Sequence, residues 1–139
     1  MWQAFENVAP TLKRGGADVV AWNAAELDLP NLWRSHRRLM AVEIASAQGE
    51  RLQQHPEEFT PAVSALIQEG LATRSVDYAV AIQHQRDLRR RMGRAIGNSI
   101  WLSPAARGAA PTPETTGDPC MNSPWSFLGF PTITFPMSL

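Results

Sequence analysis

Residues 75–97 repeat apolar side chains at helical spacing for about six turns. Tyr78, Ile82, Leu88, Met92 and Ile96 share one face, and Arg86, Arg90 and Arg94 line another. Ser75 reads as the cap of this helix and Gly97 as its stop. A second long helix is expected over 31–53. Its apolar stripe holds Leu32, Trp33, His36, Leu39, Met40, Glu43 and Ala47, which places one imidazole and one carboxylate on the side to be buried. Between the two, Thr60 is placed as an N-cap with Pro61 at the first helical position, and Gly70 is expected to close a short helix. Helices of this length must cover their apolar faces with another layer.

Three short β-branched and aromatic runs are the expected cover. The first, 18–22, follows a helix with Trp2, Phe5, Ala9 and Leu12 on one face and Gly15-Gly16 as its stop. A helix feeding through glycine into Val19, Val20 and Trp22 is the grammar of an α/β layer. Residues 99–102, stopped by Ser103-Pro104, and 132–135, closed by Pro136, read as two further strands. Residues 105–118 are rich in proline, glycine and threonine and read as a surface loop. Residues 119–131 read as a compact turn or a single helical turn with aromatic anchors.

The expected fold class is therefore α/β, mixed sheet strands flanked by helices, in one domain without internal repeats. Three separated strands make a poor sheet, the first helix begins at Met1, and the last strand stops at Leu139 without a polar tail. The expectation is a partial fold truncated at both ends. Its unfinished sheet edges would leave buried groups unpaired at about 1–3 kcal/mol each, and self-association through those edges is one way to satisfy them.

Composition narrows the function classes. The chain has 139 residues, 44% hydrophobic and 19% charged, which is globular rather than disordered composition. A formal net charge of zero gives no field to draw the whole chain onto nucleic acid or an anionic membrane, so neither is expected as a partner. Lys13 is the only lysine, so a lysine base has one candidate. Cys120 is the only cysteine, which excludes an internal disulfide and a multi-cysteine zinc site and points to a reducing, cytoplasmic setting. Residues 1–17 carry Glu6 in an amphipathic stretch unlike a signal peptide, and no apolar run approaches the roughly 20 residues of a membrane helix.

Five motifs in order carry a family resemblance. Thr116-Gly117 is followed by Asn122-Ser123-Pro124-Trp125, then Leu128-Gly129-Phe130-Pro131 and a run ending at Pro136. Upstream lie Gly16-Ala17-Asp18-Val19, then His36 with Leu39-Met40 and Glu43, then Tyr78 early in a long helix, and Ile100-Trp101-Leu102-Ser103-Pro104-Ala105. In this order they resemble the later part of the amidase-signature hydrolases, over essentially the whole chain. The resemblance implies a partial amidase domain with mixed sheet strands, no cofactor, and a small-molecule amide substrate for the full-length protein.

In that family a Ser-cisSer-Lys triad hydrolyses the amide, with the serines in a Gly-Gly-Ser-Ser-Gly-Gly type loop. Here the only Gly-Gly pair is followed by Ala17, there is no Ser-Ser pair, and Lys13 lies in a helix that does not match the catalytic lysine. None of the triad carries over, so no catalytic residue and no metal ligand is assigned, and the chain alone is expected to be inactive. The alternatives are a non-catalytic binding or assembly module, or a remnant of a degraded amidase gene.

The resemblance places Asn122, Trp125 and Phe127 near the substrate pocket. Asn122 would hydrogen-bond an amide and Trp125 would pack on a substrate side chain; equally, all three could pin a turn under the sheet edge. The remaining polar groups read as structural. His36 and Glu43 lie about 10 Å apart along their helix and do not form one metal site. His84 and His55 are expected in solvent, the arginine series as a solvated face or one that packs on missing parts of a parent domain, Ser123 as a turn former and Ser126 as structural. Cys120 lacks a base.

Overall fold

The computed structural model describes residues 5–136. Among these residues the helices include, in order, α1 (Val8–Arg14), α2 (Leu29–Gln54), α3 (Pro61–Ala72), α4 (Ser75–Ile96) and α5 (Ser123–Leu128). Single 3-10 turns occupy Ala24–Leu27, Pro56–Glu58 and Pro119–Met121.

No strand exists among the described residues, and this overturns the expected α/β sheet. Residues 18–22, 99–102 and 132–135 are irregular chain. Their β-branched and aromatic content favours a strand only where a neighbour supplies the hydrogen-bond ladder and a layer covers one face. Neither is present: Val20 is 78% exposed, Ile100 88% and Ile133 89%. Pairing through sheet edges falls with the sheet, because the described residues offer no such edge.

The helices follow their local signals closely. Thr60 is extended and its side chain accepts the Val63 N–H at 3.4 Å, with Pro61 in the first turn of α3. Arg74, not Ser75, takes the extended cap position of α4, and Gly97 ends that helix at φ 52. Gly70 does not end α3, which runs on to Ala72. It serves close approach instead, since a β-carbon at Gly70 would stand 1.9 Å from the Ala41 carbonyl oxygen. α2 starts at Leu29 with Asp28 in a left-handed conformation, which turns the chain out of the preceding 3-10 turn.

α3 runs back along the C-terminal half of α2, where Ile67 packs with Ala45 and Leu52 under Ile44, Phe59 and Val63. The chain turns at Thr73-Arg74, and α4 continues along the N-terminal half of α2. Beyond the start of α2, Arg91 donates to the carbonyl of Glu26 in the preceding 3-10 turn at 2.8 Å. The main core joins Leu27, Leu32 and Leu39 to Ala81, Leu88 and Met92, with Phe127 and Leu128 of α5 in the same cluster. Gln85 Nε2 donates to the Phe127 carbonyl at 2.8 Å and so ties α5 to α4.

The buried row of α2 differs from the expected stripe. Leu32, Ser35, Leu39, Ala41, Ala45, Gly49 and Leu52 are buried, whereas Trp33 and Met40 are 41% and 46% exposed. Small residues let α3 lie close, so size as well as hydropathy selects the face. α1 buries none of its residues; Trp2 of its expected apolar face lies outside the described residues, as do Met1 and Leu139.

Candidate substrate-contact segment around Asn122

The segment expected to contact substrate is built by a pair of turns. Asp118 accepts the Cys120 N–H at 2.9 Å and an Arg107 N–H at 3.0 Å, which fixes the entry to the 3-10 turn. The Arg107 guanidinium and this backbone bond hold the Asp118 carboxyl below its ordinary range. Asn122 donates its backbone N–H to Pro119 O at 2.9 Å, and its carbonyl accepts from Trp125 and Ser126, each at 3.1 Å. Pro124 lies in the first turn of α5, and Gly129, left-handed at φ 64, terminates it. A β-carbon at Gly129 would lie 3.3 Å from the Arg89 guanidinium.

The three expected contact residues separate into two groups. Asn122 is exposed, and its carboxamide makes no capping hydrogen bond. Trp125, half-buried, meets Trp101 edge to face at 5.6 Å, and Trp101 stacks on Trp22 at 4.3 Å and 27°. Two runs expected as strands are therefore joined through stacked indoles rather than backbone ladders. Phe127 is instead 1% exposed, with His84 at 5.6 Å and His36 at 5.9 Å. It belongs to the core, so surface contact is left to Asn122 and Trp125.

A second polar group was not anticipated. His84, expected in solvent, is half-buried, with Nδ1 2.8 Å from Ser35 Oγ and Nε2 3.4 Å from Asn31 Nδ2. The sequence held one weak signal for it: His84 lies between Ala81 and Leu88 at helical spacing, and Ser35 between Leu32 and Leu39. Serine beside histidine is a nucleophile–base arrangement, yet the surroundings oppose catalysis. Ser35 is 7% exposed and lies past the first turn of α2, where helical N–H groups are already bonded and cannot hold an oxyanion. Neither Ser35 nor His84 lines the two arginine-rich clefts on the surface. The group is a polar brace between α2 and α4.

Burial lowers the His84 pKa, with Asp28 opposing, Arg91 reinforcing and Asp87 opposing. Burial likewise lowers that of His36, against the pull of Glu43. Glu43 itself is exposed rather than a core partner of His36. Partial burial, then Asp118, pushes the Cys120 thiol up and away from a reactive thiolate. Ser123 is buried and Ser126 exposed. Among the described residues, no group of three His, Cys, Asp or Glu side chains is placed to hold a metal ion. No helix among them is long and apolar enough to cross a membrane.

Comparison with protein-family models, curated proteins and solved structures found no significant match. The resemblance to amidase-signature hydrolases thus rests on the sequence motifs alone.

Proposed function

We propose that this chain is a helical portion of a cytoplasmic amide hydrolase that supplies substrate contacts and none of the catalytic groups. One observation carries the reading: Asn122 presents an uncommitted carboxamide one turn from Trp125, at the edge of the Trp22, Trp101 and Trp125 array. A carboxamide both donates and accepts, so it can pair with a substrate amide, while the indoles offer apolar area to the acyl group. The motif order from Thr116 to Pro136 supports the same reading. Catalysis would need a nucleophile, base and oxyanion donors from outside these residues.

The test is a titration of the purified chain with a simple aromatic carboxamide, followed by tryptophan fluorescence and the Asn122 side-chain NH₂ resonances. Saturable changes that disappear in Asn122→Ala and Trp125→Ala are expected, with no ammonia released. Absence of any saturable change overturns the contact role. Hydrolysis sensitive to a serine reagent overturns the assignment of catalysis to residues elsewhere.

A second reading, an assembly module, is favoured by the surface. The chain exposes 10175 Å², against about 7,000 Å² for a compact monomer of its size. Val20, Ile100, Ile133 and Phe135 are among the exposed apolar side chains. Sedimentation of the chain over a wide concentration range separates the readings, since a strictly monomeric species excludes assembly of the chain with itself.

A further inference from the structure

The outer corner where α3 gives way to α4 faces α2 across a cleft of about 510 Å³. Arg34, Arg37 and Arg38 line it from α2, Glu69 from α3, and Arg74 and Asp77 from the start of α4. Two of these guanidiniums are already neutralised. Arg37 Nε and Nη2 donate to both Glu69 oxygens at 2.7 to 3.1 Å, and Arg74 does the same to Asp77 at 2.9 and 3.2 Å. Both carboxylates are thereby used, and they fix the positions of the two arginines.

Arg34 and Arg38 remain. They stand one helical turn apart, about 6 Å along α2, and neither has a carboxylate in salt-bridge contact among the described residues. Arg34 reaches only the neutral Asn31 Oδ1, at 3.4 Å. Arg38 is near enough to Asp77 to act on it electrostatically, and four guanidiniums against two carboxylates leave a surplus of two positive charges around one concavity. Surplus like charge around one cleft repels, and a doubly charged anion within it removes that repulsion. Planar guanidinium forks suit a tetrahedral oxyanion, and paired arginines retain outward N–H groups for it.

We propose that this cleft binds a phosphate dianion, gripped by Arg34 and Arg38 and steadied by the spare N–H groups of Arg37 and Arg74. A polynucleotide backbone fits less well, because no aromatic ring lines the cleft for a base to stack on. The second arginine-lined cleft, with Gln83, Arg86, Arg89 and Arg90, is smaller, at about 360 Å³. Arg90 there is paired with Asp87, and Arg89 lies against Gly129.

Isothermal titration of the whole chain with inorganic phosphate, at constant ionic strength, tests the site, with a phosphate monoester as a second titrant. Saturable binding in the millimolar range or tighter is expected, weakened about tenfold or more by Arg34→Gln or Arg38→Gln. Arg51→Gln, away from the cleft, should bind as the parent does. Circular dichroism of each variant confirms that the helices are retained. Binding of phosphate but not the monoester identifies the free ion as the ligand, and comparable binding of both identifies a phosphoryl group on a larger molecule. No saturable heat up to tens of millimolar phosphate, equal displacement by chloride, or unchanged affinity in Arg38→Gln would each overturn the proposal.

Discussion

Gly70 and Ala41 are in backbone contact: a methyl group on Gly70 would lie 1.9 Å from the Ala41 carbonyl oxygen and 2.7 Å from the Ala45 β-carbon. Neither backbone can yield without separating α2 from α3. Gly70→Ala should therefore cost about 1–3 kcal/mol, the range for overpacking. Gly93→Ala is the matched control, since nothing lies within 4 Å of its added carbon and helix propensity alone should gain up to about 1 kcal/mol. Urea denaturation of the two variants should show shifts of opposite sign.

Phe127 is packed from two sides by imidazoles and is almost fully buried. Phe127→Ala should remove about 3–5 kcal/mol, a large part of the 5–15 kcal/mol that holds a domain together. Asn122→Ala, at an exposed position in the same turn, should leave stability within about 0.5 kcal/mol while abolishing carboxamide binding. Thermal melts and ligand titration on the same samples separate the two effects.

Acid should loosen the fold through its histidines. His36 and His84 both titrate below 6.5 when folded, so protonation favours the unfolded chain. Their contribution is fully present above pH 6.5 and is lost as pH falls through the folded values. Asp77, Asp87 and Asp118 are shifted below 3.8, so the stability they contribute is lost only at lower pH. Melting temperatures should drop on acidification just below neutrality, and the double variant His36→Gln, His84→Gln should flatten that first step.

The indole contacts predict where the chain opens. Trp101 touches Trp22 on one side and Trp125 on the other, so Trp101→Ala unlinks the segments around all three. Limited proteolysis should then cut near 17–23 and 98–104 faster, while α2 and α4 stay protected. Loss of the aromatic pairing alone is worth about 0.5–1.5 kcal/mol per pair.

The helices were legible because their signals are local. The apolar period of 75–97 and the Thr60-Pro61 cap act within one or two turns, and the structure places α3 and α4 where those signals lie. The expected strands do not form because Val19, Val20, Ile100 and Ile133 state a preference that only a neighbouring strand can fulfil. The Ser35–His84 brace is illegible in the sequence for a related reason. Its members are 49 residues apart, and nothing local tells a buried histidine from a solvated one. Asn122 and Trp125 are singled out by the motif order alone, whereas burial of Phe127 emerges only from the packing of α5.

α2 alone contributes side chains to both hydrophobic clusters, Leu32 and Leu39 to one and Ala45 and Leu52 to the other. One rod thus carries two separately fastened loads, and release of α3 would bare the C-terminal half of α2 without disturbing the half that grips Phe127. Amide exchange should resolve this as two protection levels within a single continuous helix, with the step falling between Leu39 and Ala45.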